Sequence, residues 1–374
     1  MRRMAKPALC LFLMVFLFSG CTEQRVLHNL AVVEGMSIDQ AENGVAVSVQ
    51  TLNMTKSGNG SEALSGNITI NTAESGSGIS EALSKLSRDL SRNLFLGQNK
   101  ITIFSSSVAR RGVGDNMDYF VRSAGSRPDV LLCVADGEAK KLLESKEDDV
   151  LVPSENMVRL LQNGEDSGLG AKVSVHDAVR RFVSPTSDIY LPLLRSKDDR
   201  TAFVGLALFD DGKMTGVANM EETYGILLMN GKIKSGLLTL QDSRLGHIGV
   251  ELVSCRVKTK SQMQQGRLVF QVTVQVQLML DEVQKGYIST IDNASIAAIQ
   301  HLAEARLEHL CTEAYACLQA AGCDAAEVGA QLAMADPAAY QAAKADWSRV
   351  FSASGVQVHC RCKITKINDN SIRE

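Results

Sequence analysis

One stretch near the C-terminus constrains the fold more than any other: RLVFQVTVQVQLML, residues 267–280. Apolar residues take every second position, and Gln and Thr take most of the positions between them. Successive side chains of a β-strand point to opposite faces, so this run predicts a long strand with one buried face and one polar face. Such a strand needs neighbouring strands and a layer packed on its apolar side.

The segments that follow predict an α+β C-terminal domain. Residues 292–320 place apolar side chains along one side of a long helix, and 336–351 form a second helix with Pro337 in its first turn. The chain closes on a strand at 355–367. Strands, then helices, then a strand are typical of helices that cover one face of a sheet.

The N-terminal half also contains both patterns, the alternation typical of strands and the spacing typical of helices. Residues 29–39, 44–54 and 65–74 predict strands, and apolar residues from Ile79 to Leu94 recur at helical spacing. Short strand and helix patterns then alternate along the chain. The fold class predicted is therefore α+β (mixed α/β) and multi-domain, each domain a mostly antiparallel or mixed sheet packed with helices.

A charged, glycine-rich region separates the two halves. This region runs from 146 to 200, and LLRSKDDR (193–200) at its end is a candidate boundary. After it, 201–219 predicts two strands joined by a turn at Asp211-Gly212, and 220–229 predicts a helix. We predict four segments: a lipoprotein signal peptide (1–20), an N-terminal α/β domain (21–196), a small central domain (197–246) and a C-terminal α+β domain (247–374).

The first residues indicate export. Basic residues precede an apolar run, 8–18, that is shorter than the roughly twenty residues needed to span a bilayer, which fits a leader peptide. Ser19 and Gly20 stand directly before Cys21, an order typical of a bacterial lipobox, in which the cysteine thiol is acylated. Phe18 departs from the aliphatic residue usual in that motif. An ordinary secretory leader with a chance cysteine is the alternative.

The charge balance bears on possible partners. The chain has 39 Lys and Arg against 42 Asp and Glu, a net charge of −3, and removal of 1–20 leaves −6 because only three basic residues are lost. A mildly acidic chain gives no electrostatic reason to expect nucleic acid. The sequence also shows no basic run for anionic lipid, so an acyl chain on Cys21 would have to provide the anchoring.

Signatures of catalysis or metal binding do not emerge from the sequence. The segment from Gly225 to Lys232 is one residue too long for a phosphate-binding loop, and there is no GxSxG nucleophile elbow. Seven cysteines follow Cys21, without zinc-type spacing, and are interpreted as small buried residues, although one disulfide in the C-terminal third stays open. We predict a non-enzyme with no cofactor and no metal.

The N-terminal half resembles the Ger(x)C family of spore germination lipoproteins, the C subunits of nutrient germinant receptors. AVVEGMSIDQAENGVAVSVQTLN carries part of this resemblance, and residues 78–144 carry it more specifically, through LFLGQNK and DYFVR…SRPDVLLCVADGEAKKLLE. Trp347, Phe351 and Gly355 match the C-terminal pattern more loosely. Asn99, Arg122 and Arg127 lie in the matched motifs, either as caps and bridges within the domain or as partner contacts.

The resemblance implies a lipid-anchored, non-catalytic receptor subunit on the outer face of the spore inner membrane, needed for germination in response to nutrients. It implies two partner subunits, one a transporter-like integral membrane protein and one with membrane and soluble parts. Cys21 is the residue whose role, lipidation, carries over. A lipid-anchored extracytoplasmic solute-binding protein is the alternative, but it requires two similar lobes, and the last third of the chain is unlike the first.

Overall fold

The computed structural model describes residues 30–52, 69–90, 92–123, 127–146, 150–285 and 292–367. Within these residues the chain forms two β-sheets with helices packed on them. Both sheets contain antiparallel and parallel strand pairs, so the predicted α+β fold is confirmed.

Nine strands form the first sheet. They are β1 (Leu30–Ala41), β2 (Gly44–Leu52), β3 (Thr69–Gly76), β4 (Asn93–Phe95), β5 (Ile101–Ser105), β6 (Leu131–Ala135), β7 (Tyr190–Lys197), β8 (Arg200–Asp210) and β9 (Lys213–Ala218). The spatial order is β3-β2-β1-β5-β6-β7-β8-β9, and β4 pairs with the start of β1. The central strands β1, β5, β6 and β7 are parallel, and the strands on either side pair antiparallel.

Six helices pack around this sheet. They are α1 (Ile79–Asp89), α2 (Ser106–Arg111), α3 (Gly114–Arg122), α4 (Lys140–Leu143), α5 (Pro153–Asp166) and α6 (Val175–Phe182). Ser174 begins α6 with a capping box, because its side chain accepts a hydrogen bond from the Asp177 backbone while Asp177 accepts one from the Ser174 backbone.

Four long or medium strands form the second sheet, in the order β10-β11-β12-β13. They are β10 (Leu237–Asp242), β11 (Gly246–Gln264), β12 (Arg267–Val283) and β13 (Gly355–Ile367). The first three are antiparallel, and β13 runs parallel to β12. The helices associated with it are α7 (Met220–Met229), α8 (Asn293–Ala321), α9 (Val328–Ala335), α10 (Pro337–Ala343) and α11 (Trp347–Ser352).

The long helix α8 covers the inner face of the second sheet. Val272, Val274 and Leu278 of β12 are fully buried, as are Leu307 and Leu318 of α8. Each side chain of this size removed from water contributes about 1.5–3 kcal/mol to the free energy of unfolding. The apolar face of the strand at 267–280 and the apolar side of the helix at 292–320 therefore pack together in one core.

A buried polar junction joins the two sheets. The Asp188 carboxylate, just before β7, accepts a 2.7 Å hydrogen bond from the backbone of Asp324, which follows α8. Arg181 is only 5% exposed; it donates to the Ala325 carbonyl and forms a 2.9 Å ion pair with Glu327. The polar groups that meet here come from both halves of the chain and satisfy one another.

Several predicted elements are confirmed. The strand at 267–280 lies inside β12, the helix at 220–229 is α7, and Asp211-Gly212 forms the turn between β8 and β9. The helix at 292–320 is α8, and the closing strand at 355–367 is β13.

Other predictions require correction. The helix expected to reach Leu94 ends at Asp89, because Leu94 instead pairs with Ala31 of β1 as part of β4. The helix expected at 336–351 is divided into α10, a 3-10 turn at Lys344–Asp346, and α11.

LLRSKDDR, the candidate boundary, lies in a β-hairpin. Its residues finish β7, and Asp198 and Asp199 form a tight turn into β8, with φ values of 51° and 60°. The predicted boundary at 196/197 therefore falls within a hairpin, and the one at 246/247 falls at the start of β11. The division into domains stays a prediction.

Candidate functional site

A charged cleft in the first half of the chain brings together two of the three motif residues. Asn99 and Arg127 both line it, and its volume is about 940 Å³. Arg122 does not reach it: its guanidinium pairs with Asp118 one helical turn away, at 2.7 Å, and both side chains are exposed. Cys21, the predicted lipidation site, lies outside the described residues.

The parallel pairing of β5 with β6 forms the floor of the cleft. Ile101 of β5 lies opposite Leu131 of β6, so the segments that precede the two strands run side by side. Lys100 accepts a 2.9 Å backbone hydrogen bond from Leu131, and Pro128 accepts one of 2.9 Å from His176. Helix α5 and the start of α6 form the walls.

Asn99 is the most deeply buried polar side chain of the cleft. It is 7% exposed, and its Nδ2 donates a 3.1 Å hydrogen bond to the Thr102 hydroxyl. Its Oδ1 is buried and has no hydrogen-bond partner among the described residues. A buried amide oxygen without a donor costs free energy, so this position favours a ligand or water that can donate a hydrogen bond.

Lys100 carries the central charge of the cleft. Its ammonium lies 2.7 Å from Glu34 and 2.5 Å from Glu155. Partial burial favours the neutral amine, but the hydrogen bonds with Glu155 and Glu34 outweigh that effect and raise the pKa of Lys100. Lys100 is therefore charged at neutral pH and compensates Glu34, which is only 6% exposed.

Arg127 acts as a bridge at the rim. Its Nη1 donates to the Gly97 carbonyl at 3.2 Å, and its Nε donates to Asp129 at 2.9 Å. The hydrogen bond from Arg127 holds the pKa of the Asp129 carboxyl below its ordinary value. The guanidinium thus ties the LFLGQNK turn to the segment before β6, which is the bridging role considered for it above.

Helix α5 and the segment that follows it add further charged side chains to the cleft. Lys172 pairs with Glu165 at 2.8 Å, whereas Arg159 of α5 is exposed and forms no ion pair within the described part of the chain. The cleft therefore offers one unpaired cation, one open amide oxygen and several balanced pairs. These groups can bind and orient a polar molecule through hydrogen bonds and charge.

Sequence reasoning missed Glu34 and Glu155, the two partners of Lys100. The sequence does contain an indication for Glu34, which is a lone carboxylate within the apolar run LAVVEGM of β1. Such a residue on a buried strand requires a cation nearby. Nothing in the sequence indicates Glu155, because only the tertiary fold places α5 beside Lys100.

No group of three or more His, Cys, Asp or Glu side chains among the described residues could hold a metal ion. No described helix is long and apolar enough to cross a membrane. All seven cysteines after Cys21 are free thiols, and burial raises the pKa of Cys255 to about 11 and of Cys311 to about 12.

Taken together, the fold defines a multi-domain α+β protein with a mixed sheet in each half and a polar cleft in the first. Two family models match it in succession: "Spore germination protein N-terminal domain" over residues 23–196, and "Spore germination B3/GerAC like, C-terminal" over residues 204–368. The chain belongs to this GerAC-type family of spore germination proteins, as the resemblance predicted.

Curated relatives and a solved structure agree with this assignment. Spore germination protein GerQC of Bacillus cereus is 23% identical over 75% of this chain and 77% of its own length. The putative spore germination protein YfkR of Bacillus subtilis is 24% identical over 77% of each chain. The crystal structure of the GerBC protein superposes with a TM-score of 0.59 at 16% identity and covers 89% of this chain and 97% of the other, which shows a shared fold.

Proposed function

We propose that the chain is a lipid-anchored, non-catalytic subunit of a spore nutrient germinant receptor and is needed to trigger germination by small-molecule nutrients. The observation that supports this proposal most is the succession of the two family domains directly after a lipobox. The first domain match begins at residue 23, two positions after Cys21. Processing at Cys21 would leave a chain made almost wholly of these domains.

The proposal includes a location and partners. An acylated Cys21 would hold the protein on the outer face of the spore inner membrane, since two or more acyl chains anchor a protein stably. There it would work beside two other subunits, one transporter-like and membrane-embedded, the other with membrane and soluble parts. The ion pairs that occupy most charges of the cleft suit a binding or coupling role better than proton transfer.

Dipicolinate release from spores tests the proposal. The gene is deleted in the source organism and restored as wild type, as Cys21→Ala, or as Cys10→Ala, which changes a cysteine within the leader. We expect deletion and Cys21→Ala to abolish the response to at least one nutrient, with Cys10→Ala unaffected and release by a receptor-independent trigger intact. An undiminished response to every nutrient after deletion of this gene and its paralogues would contradict the proposal.

A second candidate function, lipid-anchored solute binding, is favoured by one feature: the open Asn99 amide and the unpaired Arg159 in a cleft of about 940 Å³. A ligand that binds only the folded state raises the melting temperature. Amino acids and sugars are therefore screened by thermal shift on wild type and on Arg159→Gln, with Lys344→Gln as the control. A shift lost only in Arg159→Gln supports direct binding, and no shift in any protein supports a role in protein contacts.

A further inference from the structure

The outward face of the second sheet carries a concentration of positive charge. Helix α8 covers the inner face, so the other face of β11, β12 and β13 is open. Five exposed, outward-facing cations form a cluster that we call the basic face: Arg256, Lys258 and Lys260 on β11 with Arg361 and Lys363 on β13.

Strand register places these cations in rows across the sheet. Arg256 lies opposite Gln275, which lies opposite Arg361 on the other side. The neighbouring rows follow the same pattern: Lys258–Thr273–His359, Lys260–Gln271–Gln357 and Ser254–Gln277–Lys363. Two outer strands of cations thus flank a central strand of Gln and Thr. Lys and Arg on β11 and β13 are separated by two strand spacings, about 10 Å.

No carboxylate among the described residues compensates these charges. The four rows contain no Asp or Glu, and the first acidic residue on the same face is Glu251, in the row beyond Ser254. None of the five cations forms an ion pair with any residue that the structure describes. Charges about 7–10 Å apart lie within one Debye length of one another at about 0.1 M salt, so they repel and the free face destabilises the fold.

An anionic surface laid against the sheet would remove this repulsion. The net charge of the chain is −3, so the basic face is a local feature, opposite in sign to the molecule as a whole. The cluster is dispersed along the sequence, because each cation alternates with an inward-facing side chain and the two outer strands lie about a hundred positions apart. The expectation that the chain offers no basic patch for anionic lipid rested on overall charge and on runs along the sequence, neither of which reports cations brought together by strand pairing.

We propose that the basic face binds the headgroups of an anionic phospholipid bilayer. The central strand of this face, β12, presents only amide and hydroxyl groups in the four rows. Protein interfaces derive most of their affinity from buried aromatic or aliphatic anchors, and the four rows present none. Several like charges spread over one face of a sheet suit a field of mobile phosphates, where each Lys or Arg strengthens binding about fivefold.

Vesicle binding tests the proposal without any acyl chain. The chain from residue 22 onward retains every described residue and is mixed with vesicles of phosphatidylcholine alone or with phosphatidylglycerol in equal amount. We expect binding only to the anionic vesicles, and strong weakening when salt is raised. Arg256→Gln/Lys258→Gln/Arg361→Gln is expected to lower the affinity on the order of 100-fold, since three charges are lost.

A matched triple variant gives the control. Arg110→Gln/Lys197→Gln/Lys344→Gln removes the same charge from exposed positions outside the basic face and is expected to change the affinity by less than about threefold. Equal losses in the two variants, or equal binding to neutral and anionic vesicles, would overturn the proposal. Urea unfolding shows whether the first variant folds: we expect a midpoint at or above that of wild type, because repulsion is relieved.

An acidic protein partner is the competing occupant. If the wild-type chain binds poly-glutamate in a manner abolished by the basic-face variant, yet fails to bind anionic vesicles, the face serves a protein and the lipid proposal is wrong. The vesicle assay does not depend on germination, so its outcome is independent of the receptor assay above.

Discussion

The Glu308 carboxylate on α8 accepts a 2.9 Å hydrogen bond from the backbone N–H of Cys360 on β13. The contact recurs at 2.9 Å between Glu304 and Cys362 and between Gln300 and Ile364. Four residues of helix rise about 6 Å and two residues of strand about 6.7 Å, so the helix and the strand stay matched over three successive contacts. Since β13 is an edge strand, the helix occupies N–H groups that another strand would otherwise bind.

Removal of these acceptors should destabilise the protein. Glu304→Ala/Glu308→Ala leaves two N–H groups without partners beneath a helix, and we expect a loss of about 2 kcal/mol in the free energy of unfolding, measured in urea. Amide exchange at Cys360 and Cys362 should accelerate as well. Glu313→Ala, an exposed position on the same helix, should change stability by less than about 0.5 kcal/mol. Equal effects of the two variants would contradict this role.

Stability should fall as pH rises from 5 to 8. Burial, with the negative charges nearby, raises the pKa of Asp188 to about 6 and of Asp324 to about 7. The folded state therefore binds protons more tightly than the unfolded chain, and this contribution is full below about pH 4 and lost as pH passes through 6 and 7. Urea unfolding should show a decline on the order of 2 kcal/mol across this range.

Asp188→Asn tests whether this junction, and not other titrating groups, causes the pH dependence of stability. An Asn oxygen still accepts the hydrogen bond from Asp324, but the negative charge is gone, so the decline between pH 5 and 8 should flatten. Asp198→Asn, in the turn between β7 and β8, removes the same charge from an exposed site and should leave the slope unchanged. A slope equally steep in all three proteins would rule out the junction as its source.

Local periodicity explains which parts of the fold could be predicted. Residues 267–280 carry a period of two throughout, and the structure has the expected strand there. The helical spacing beyond Asp89 predicted a helix that is too long, because Leu94 pairs with β1 as part of a strand and does not continue the helix. The strand β11 went unpredicted because charged residues occupy its outward positions, where a solvated sheet face permits them.

The candidate cleft and the basic face could not be predicted because both depend on strand pairing between distant segments. Asn99 and Arg127 were singled out as motif residues, but only the parallel register of β5 and β6 shows that they line one cleft. Glu34 lies 66 positions from Lys100 and meets it through the pairing of β1 with β5. The local pattern of a strand determines which of its faces is buried, but tertiary packing determines which distant strand lies beside it.

Loss of the Lys100 charge should destabilise the first half of the chain. Lys100→Met leaves the Glu34 carboxylate buried without a cation, and we expect a loss on the order of 3 kcal/mol in the free energy of unfolding. Adding Glu34→Gln should restore most of it, because no uncompensated charge is left. Lys172→Met breaks a more exposed pair with Glu165 and should cost less than about 1 kcal/mol. Equal costs for Lys100→Met and Lys172→Met would contradict the central role of Lys100.

Gly225 should not tolerate a methyl group, although it lies within a helix. A Cβ there would lie 2.2 Å from the Leu310 carbonyl oxygen and 2.5 Å from the Ala314 Cβ, so α7 and α8 would have to separate. Gly→Ala within a free helix gains about 1 kcal/mol. For Gly225→Ala we expect the opposite sign, a loss on the order of 2 kcal/mol and a lower melting temperature. Gly78→Ala, where no atom lies within 4 Å, should have little effect. A melting temperature of Gly225→Ala at or above wild type would show that the two helices can part without cost.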